Sequence, residues 1–141
     1  MRLVFDTSTA AVSLGILTEE GWMETVDRAD IPKQQSKVLL VMIQDLFRPF
    51  GIEMKEVKEI AVGEGPGSFT GLRMGMTVAK IWAYTHKADL FTFSSSKLLE
   101  KTKLKEPDAL YPKIKYLEDA DFRKLPNLND LIPIYENDHF A

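Results

Sequence analysis

A chain of 141 residues, 45% of them hydrophobic, is long enough for one domain that buries about two thirds of the surface its unfolded form exposes. A net charge of −3 excludes the basic field of a direct nucleic-acid binder, so any service to RNA would run through a partner that supplies the cations. The absence of cysteine excludes disulfides, zinc–thiolate sites and a cysteine nucleophile. Met1 leads straight into Leu3, Val4 and Phe5 with no charged leader, and no apolar run is long enough to span a bilayer. The expectation is a soluble, cytoplasmic domain.

Arg2 to Phe5 is a short apolar strand closed by Asp6-Thr7-Ser8-Thr9, a cluster with turn chemistry. Val12, Leu14 and Ile16 alternate with Ser13 and Gly15, the period of a second strand. Thr18-Glu19-Glu20-Gly21 makes a hairpin loop, and Trp22 to Val26 returns with Trp22, Glu24 and Val26 on one side. Three strands joined by short turns form an antiparallel meander. Asp27 to Gln34 is a polar connection carrying Pro32. A helix then runs from about Gln35 to Arg48, with Val38, Leu39, Met42, Ile43, Leu46 and Phe47 at helical spacing and Leu40 and Val41 widening the apolar band. Pro49 and Gly51 stop it.

The central stretch is a buried strand (Ile60, Ala61, Val62), a glycine-rich turn and a long helix. Four of the eight glycines fall between Gly63 and Gly71, where the backbone needs conformations or close approaches that a side chain forbids. Ser68 or Thr70 caps the helix. Backbone N–H groups at such a turn can attract an anion, but no Gly-Lys-Ser/Thr follows and the dinucleotide spacing fails, so a tight structural turn is at least as good a reading and a phosphate cradle is only weakly indicated. Along the helix Gly71, Gly75, Ala79 and Ala83 stack every four residues, while Met74, Val78, Ile81 and Trp82 cover another face. Two layers of one core and an intermolecular surface both fit that pattern. Arg73, Lys80 and Lys87 lie on the solvated side.

Asp89 to Phe93 makes a fifth strand, and Ser94-Ser95-Ser96 starts a short helix through about Lys103. The order of elements predicts an α/β domain with a mixed five-stranded sheet flanked by helices over 1–104. Residues 105–141 lack glycine and carry four of the seven prolines, which predicts a wrapping tail on the same domain. Within it, 105–112 is extended, 117–125 could form one short helix, and 131–135 an edge strand or a segment lying on the core.

Chemistry-bearing groups are few. His86 at a helix end is explained by the helix dipole, and His139 is distant from it, so neither a metal cluster nor a histidine-dependent serine triad is indicated. Asp6, at the end of the first strand, could hold a metal ion or water against a phosphate, or simply cap its own turn. Glu64 could act with it.

Gly65-Pro66-Gly67-Ser68-Phe69-Thr70-Gly71-Leu72-Arg73 resembles the bacterial TsaB family, also called YeaZ, whose members serve tRNA threonylcarbamoyladenosine synthesis. Asp6-Thr7-Ser8-Thr9, the Gly75 and Lys80 positions, and Phe91 to Leu99 extend the likeness over about residues 1–104. The resemblance implies the N-terminal lobe of an ASKHA (actin/Hsp70/sugar kinase, RNase H-like) fold. It implies a non-catalytic partner of the catalytic paralogue TsaD, working with the ATPase TsaE and touching tRNA only indirectly. In the family two helices of this lobe meet TsaD or a second copy. That assigns the interface here to Leu39, Met42, Ile43, Leu46, Leu72, Gly75, Met76, Ala79 and Ala83. Asp6, Gly65 and Gly67 are the candidates for a shared nucleotide site, with ATP held in the complex and not by the isolated chain.

The chain departs from the family in length, with most of a second lobe expected to be missing or replaced by the proline-bearing tail, where Ile132-Pro133-Ile134-Tyr135 only faintly matches the family's Pro-x-Tyr-Leu-Arg ending. The segment 31–40 lacks the metal-binding histidine pair of TsaD. Two other readings remain: a minimal ASKHA phosphotransferase or ATPase using Asp6 and the glycine turn, and a peptidase, for which the chain offers no nucleophile–base pair.

Overall fold

Leu3, Val4 and Phe5 have no accessible surface, because their strand runs through the middle of the sheet with a layer of side chains on each face. The computed structural model describes residues 1–29 and 35–135. Residues 30–34 of the polar connection and His139 lie outside them.

Strands β1 (Arg2–Asp6), β2 (Val12–Thr18) and β3 (Gly21–Arg28) form the antiparallel meander, and β4 (Glu59–Gly63) joins β1 in parallel on its other side. Strand β5 (Asp89–Phe93) continues in parallel, and β6 (Arg123–Leu125) closes the sheet antiparallel to β5. The order is β3-β2-β1-β4-β5-β6, six strands where the sequence predicts five. The added strand is three residues of a charged tail just before Pro126. It carries no alternation to betray it and sits at an edge, where proline is tolerated. It also displaces the short helix expected over 117–125, where single 3-10 turns at Ile114–Tyr116 and Asp119–Asp121 precede the strand.

One face of the sheet is covered by α1 (Gln35–Phe47) and α2 (Phe69–His86), which bury Leu39, Ile43, Leu46, Met76, Ala79 and Trp82 against Leu3, Phe5, Leu14, Ile16, Ile60 and Val62. The Phe47 and Trp82 rings meet edge to face at 6.0 Å where the two helices touch. On the opposite face α3 (Ser95–Lys105) and the chain after it place Leu98, Ile114 and Leu117 on Val4, Ala61 and Phe93. The tail then rounds the β6 edge, and Leu125 and Leu131 enter the first core.

A register shift opposite Ile16 and Leu17 corrects the expectation that Trp22, Glu24 and Val26 share a side. Trp22 pairs with Leu17 and Glu24 with Ile16, leaving Met23 extra. Such a bulge turns the strand over, so Trp22 packs in the tail-side cluster while Val26 lies opposite Leu14 on the helix side.

Candidate functional site

Two regions are candidates for a functional site: the turn system at the end of β1, and the outer surface of α1 and α2. Asp6 ends β1 with only 2% of its surface exposed. One carboxylate oxygen accepts from the Ser8 amide at 2.9 Å and the Ser8 hydroxyl at 2.6 Å; the other accepts from the Ser95 hydroxyl at 2.7 Å. Burial pushes its carboxyl above the usual carboxylate range, opposed by the hydrogen bonds from Ser8 and Ser95. The carboxylate thus ties together its own turn and the first residue of α3.

Glycine makes that tie sterically feasible. A Cβ on Gly63 would stand 2.1 Å from the Asp6 carboxylate, and one on Gly67 would stand 2.4 Å from the Ser8 carbonyl oxygen. Three of the turn's donors are engaged in the same mesh. Glu64 N–H donates to the Phe93 carbonyl, Gly65 N–H to the Ser95 hydroxyl and Ser68 N–H to the Ser8 carbonyl. A phosphate cradle needs such N–H groups free, and a magnesium site needs a carboxylate oxygen facing out. These residues do not fit either group as they stand. Asp6, Gly65 and Gly67 do lie together, but they hold one another and the surrounding turns.

Glu64 does not join Asp6. Its carboxylate accepts from the Arg123 guanidinium at 2.9 Å and the Thr92 hydroxyl at 3.4 Å, beside β5 and β6. His86 stands in the last turn of α2, its ring edge-on to Trp82 at 5.2 Å. No group of three or more histidines and carboxylates with metal-ligand geometry occurs among the described residues.

The nine residues expected at a partner interface are interior. Leu39, Ile43, Leu72 and Ala79 have no accessible surface, and Met42, Leu46, Met76 and Ala83 expose 9% or less. Gly75 is also buried: a Cβ there would stand 2.2 Å from the Thr7 hydroxyl, and one on Gly71 would stand 2.1 Å from the Thr7 carbonyl oxygen. The small-residue stripe therefore lets α2 lie on the β1–β2 turn, which the Thr7 hydroxyl secures by donating to the Gly71 carbonyl at 2.7 Å. Residues enclosed by their own fold leave little surface for a partner, although Met42 and Leu46 reach the floor of a groove beside Val26 and Phe50. The accessible apolar groups lie round the back of both helices: Leu40 and Val41 on α1, Ile81 and Tyr84 on α2. Ile81 exposes 60% and Tyr84 79%, and a groove of about 180 Å³ runs between Leu40, Met54, Val78, Ile81 and Thr85. A helical plot could have found them, since Ile81 is two residues from Ala79 and so on the far side of the stripe.

The family described as "TsaD: tRNA N6-adenosine threonylcarbamoyltransferase" matches residues 30–123. The chain is 32% identical over 81 residues to the TsaB of Escherichia coli, covering 55% of this chain and 33% of that protein. Against the Haemophilus influenzae TsaB it is 34% identical over 82 residues, covering 58% and 34%. The chain belongs to the TsaD family and, within it, to TsaB/YeaZ. YeaZ from Pseudomonas aeruginosa superposes with a TM-score of 0.68 at 26% identity, over 89% of this chain and 64% of that one. The TsaB/YeaZ fold is accordingly an ASKHA-like α/β lobe. The matches span about a third of the length of both TsaB relatives.

A second solved structure, TM-score 0.69, is described as similar to "peptidase YEAZ". In this TsaB/YeaZ member the Ser8 and Ser95 hydroxyls both donate to Asp6, and both serines are buried, which is a structural use of those side chains. No helix among the described residues is long and apolar enough to cross a membrane.

Proposed function

We propose that the chain is a cytoplasmic, non-catalytic partner subunit of a TsaD-like enzyme in making N6-threonylcarbamoyladenosine at position 37 of tRNAs. The observation that carries this reading is the apolar outer surface of α1 and α2, exposed at Leu40, Val41, Ile81 and Tyr84, on a chain similar to TsaB. Exposed apolar groups on two adjacent helices, with Leu40 and Ile81 lining a groove, are the kind of surface that a second pair of helices covers. The engaged state of Asp6 and of the glycine turn supports a subunit without catalytic groups of its own. Nucleotide in the assembly is then held by the partner, with a TsaE-like ATPase acting on the complex and tRNA reached only through it. A second copy of the chain would compete for the same helices.

The test is a titration of this chain into the TsaD-like enzyme of its own source organism, followed by calorimetry and size-exclusion chromatography. A one-to-one complex is the expected outcome, and the absence of association at tens of micromolar overturns the reading (a Kd weaker than about 10⁻⁴ M is no stable subunit contact).

A further inference from the structure

The glycine-rich turn is closed from outside as well as from within. After Leu131 enters the first core at 1% exposure, the chain runs back along residues 64–67. The Ile134 amide donates to the Glu64 carbonyl at 2.8 Å, and Tyr135 forms a parallel bridge with Gly67. The Tyr135 ring lies on Phe69, the first residue of α2, with centroids 4.8 Å apart, and the Arg73 guanidinium stands 5.1 Å from the Phe69 ring on its own helix. Gly65 has φ +101, a conformation few other residues adopt, and a Cβ there would stand 2.2 Å from the Ile134 carbonyl oxygen.

We propose that Leu131–Tyr135 is a built-in occupant of the glycine-rich turn, a short segment of this chain lying over the backbone of residues 64–67 where an anion would otherwise approach it. The turn's backbone groups are shared out between Phe93, Ser95 and Ser8 on one side and this segment on the other. Gly65 is glycine because another backbone passes over it, and that backbone belongs to the chain itself. The consequence is that pyrophosphate or a nucleoside triphosphate offered to the isolated chain finds this turn already covered. The inference concerns the isolated chain and stands or falls apart from the partner reading.

Hydrogen–deuterium exchange of the full chain tests it. Ile134→Pro removes the N–H that Glu64 receives, and Tyr135→Ala removes the ring on Phe69 while leaving the backbone able to bond. Amides of residues 64–68 should exchange at least about tenfold faster in Ile134→Pro than in wild type, with β1 amides still protected, as expected of a local opening. If loss of β1 protection shows that Ile134→Pro has unfolded, Tyr135→Ala supplies the comparison, with a smaller acceleration confined to the same residues. Inorganic pyrophosphate and Mg-ATP at millimolar concentration should leave wild-type exchange at the turn unchanged. Equal protection of the turn in wild type and in the folded variants, or protection of the wild-type turn by pyrophosphate, overturns the proposal.

Discussion

The two faces of the sheet are covered by different means. On one, α1 and α2 satisfy their own backbone hydrogen bonds and need only supply apolar side chains. On the other, α3 is joined by irregular chain whose backbone must find partners elsewhere. The Ile114 amide donates to the Ser13 hydroxyl at 2.9 Å, and the Lys113 amide to the Thr102 hydroxyl at 3.0 Å. Surface ion pairs fasten the rest: Glu106 receives Lys113 and the Tyr116 hydroxyl, and Lys101 reaches Glu118 and Asp121. The outer surface of the helical face carries Leu40, Val41, Ile81 and Tyr84 on regular helices, whereas the other side mixes these charges with single exposed apolar groups, Leu104 and Leu110, on a helix end and irregular chain. Regular helices hold their exposed apolar groups in a fixed array; a tail fastened by ion pairs and side-chain hydrogen bonds scatters them.

That contrast can be broken at defined residues. The largest effect is expected where α2 approaches the β1–β2 turn. Gly71→Val puts a branched side chain into the Thr7 carbonyl and should cost about 4 kcal/mol in urea unfolding, since backbone, not a movable side chain, is in the way. Next comes the tail's seal. Ile114 is fully buried, with its Cδ1 over Gly15, and Ile114→Ala should cost about 3 kcal/mol by the same measurement. A loss below about 1 kcal/mol would mean that the tail lies on the sheet without sealing it.

Asp6→Asn sharpens the account by pH. The folded-state carboxyl is raised above its ordinary value of 3.8, so folding favours its protonated form. Its contribution is complete below that ordinary value and is lost as pH rises through the folded one. The variant lacks this decline and turns an amide nitrogen toward the Ser95 donor. It should be less stable than wild type by about 2 kcal/mol at acidic pH, with the gap narrowing toward neutral pH. Glu106 acts oppositely, held down at about 2 by Lys113 first and then Tyr116. Its contribution is present above the ordinary 4.5 and disappears as pH falls toward 2, and it is present equally in both proteins, so subtracting their profiles isolates Asp6.

Much of the fold was legible because its signals are local. Alternation marked β2, the Ser68 and Ser94 caps marked the starts of α2 and α3, and Pro49 with Gly51 ended α1. What periodicity could not carry was β6, whose three residues have no pattern, and the bulge at Met23, which a strict two-residue period hides. At the site, the clustering of glycine around Asp6 was visible, but not what fills the space the glycines leave. Ile134 and Ser8 are distant in sequence from Gly65 and Gly67 and carry no mark of the contact. The stripe of small residues misled for the same reason. Small side chains announce a close approach without saying to what, and here the neighbour is Thr7 of the same chain.

The most direct measurement of the central claim is the affinity of the Ile81→Asp, Tyr84→Ala double variant for the TsaD-like enzyme, set beside that of wild type. Both positions are exposed, so the unfolding free energy should change by less than about 0.5 kcal/mol. The account predicts an association at least about a hundredfold weaker, as expected when a charge is placed in the centre of an apolar contact. Unchanged affinity in a folded double variant would contradict it, and would move the binding surface away from the outer face of α1 and α2.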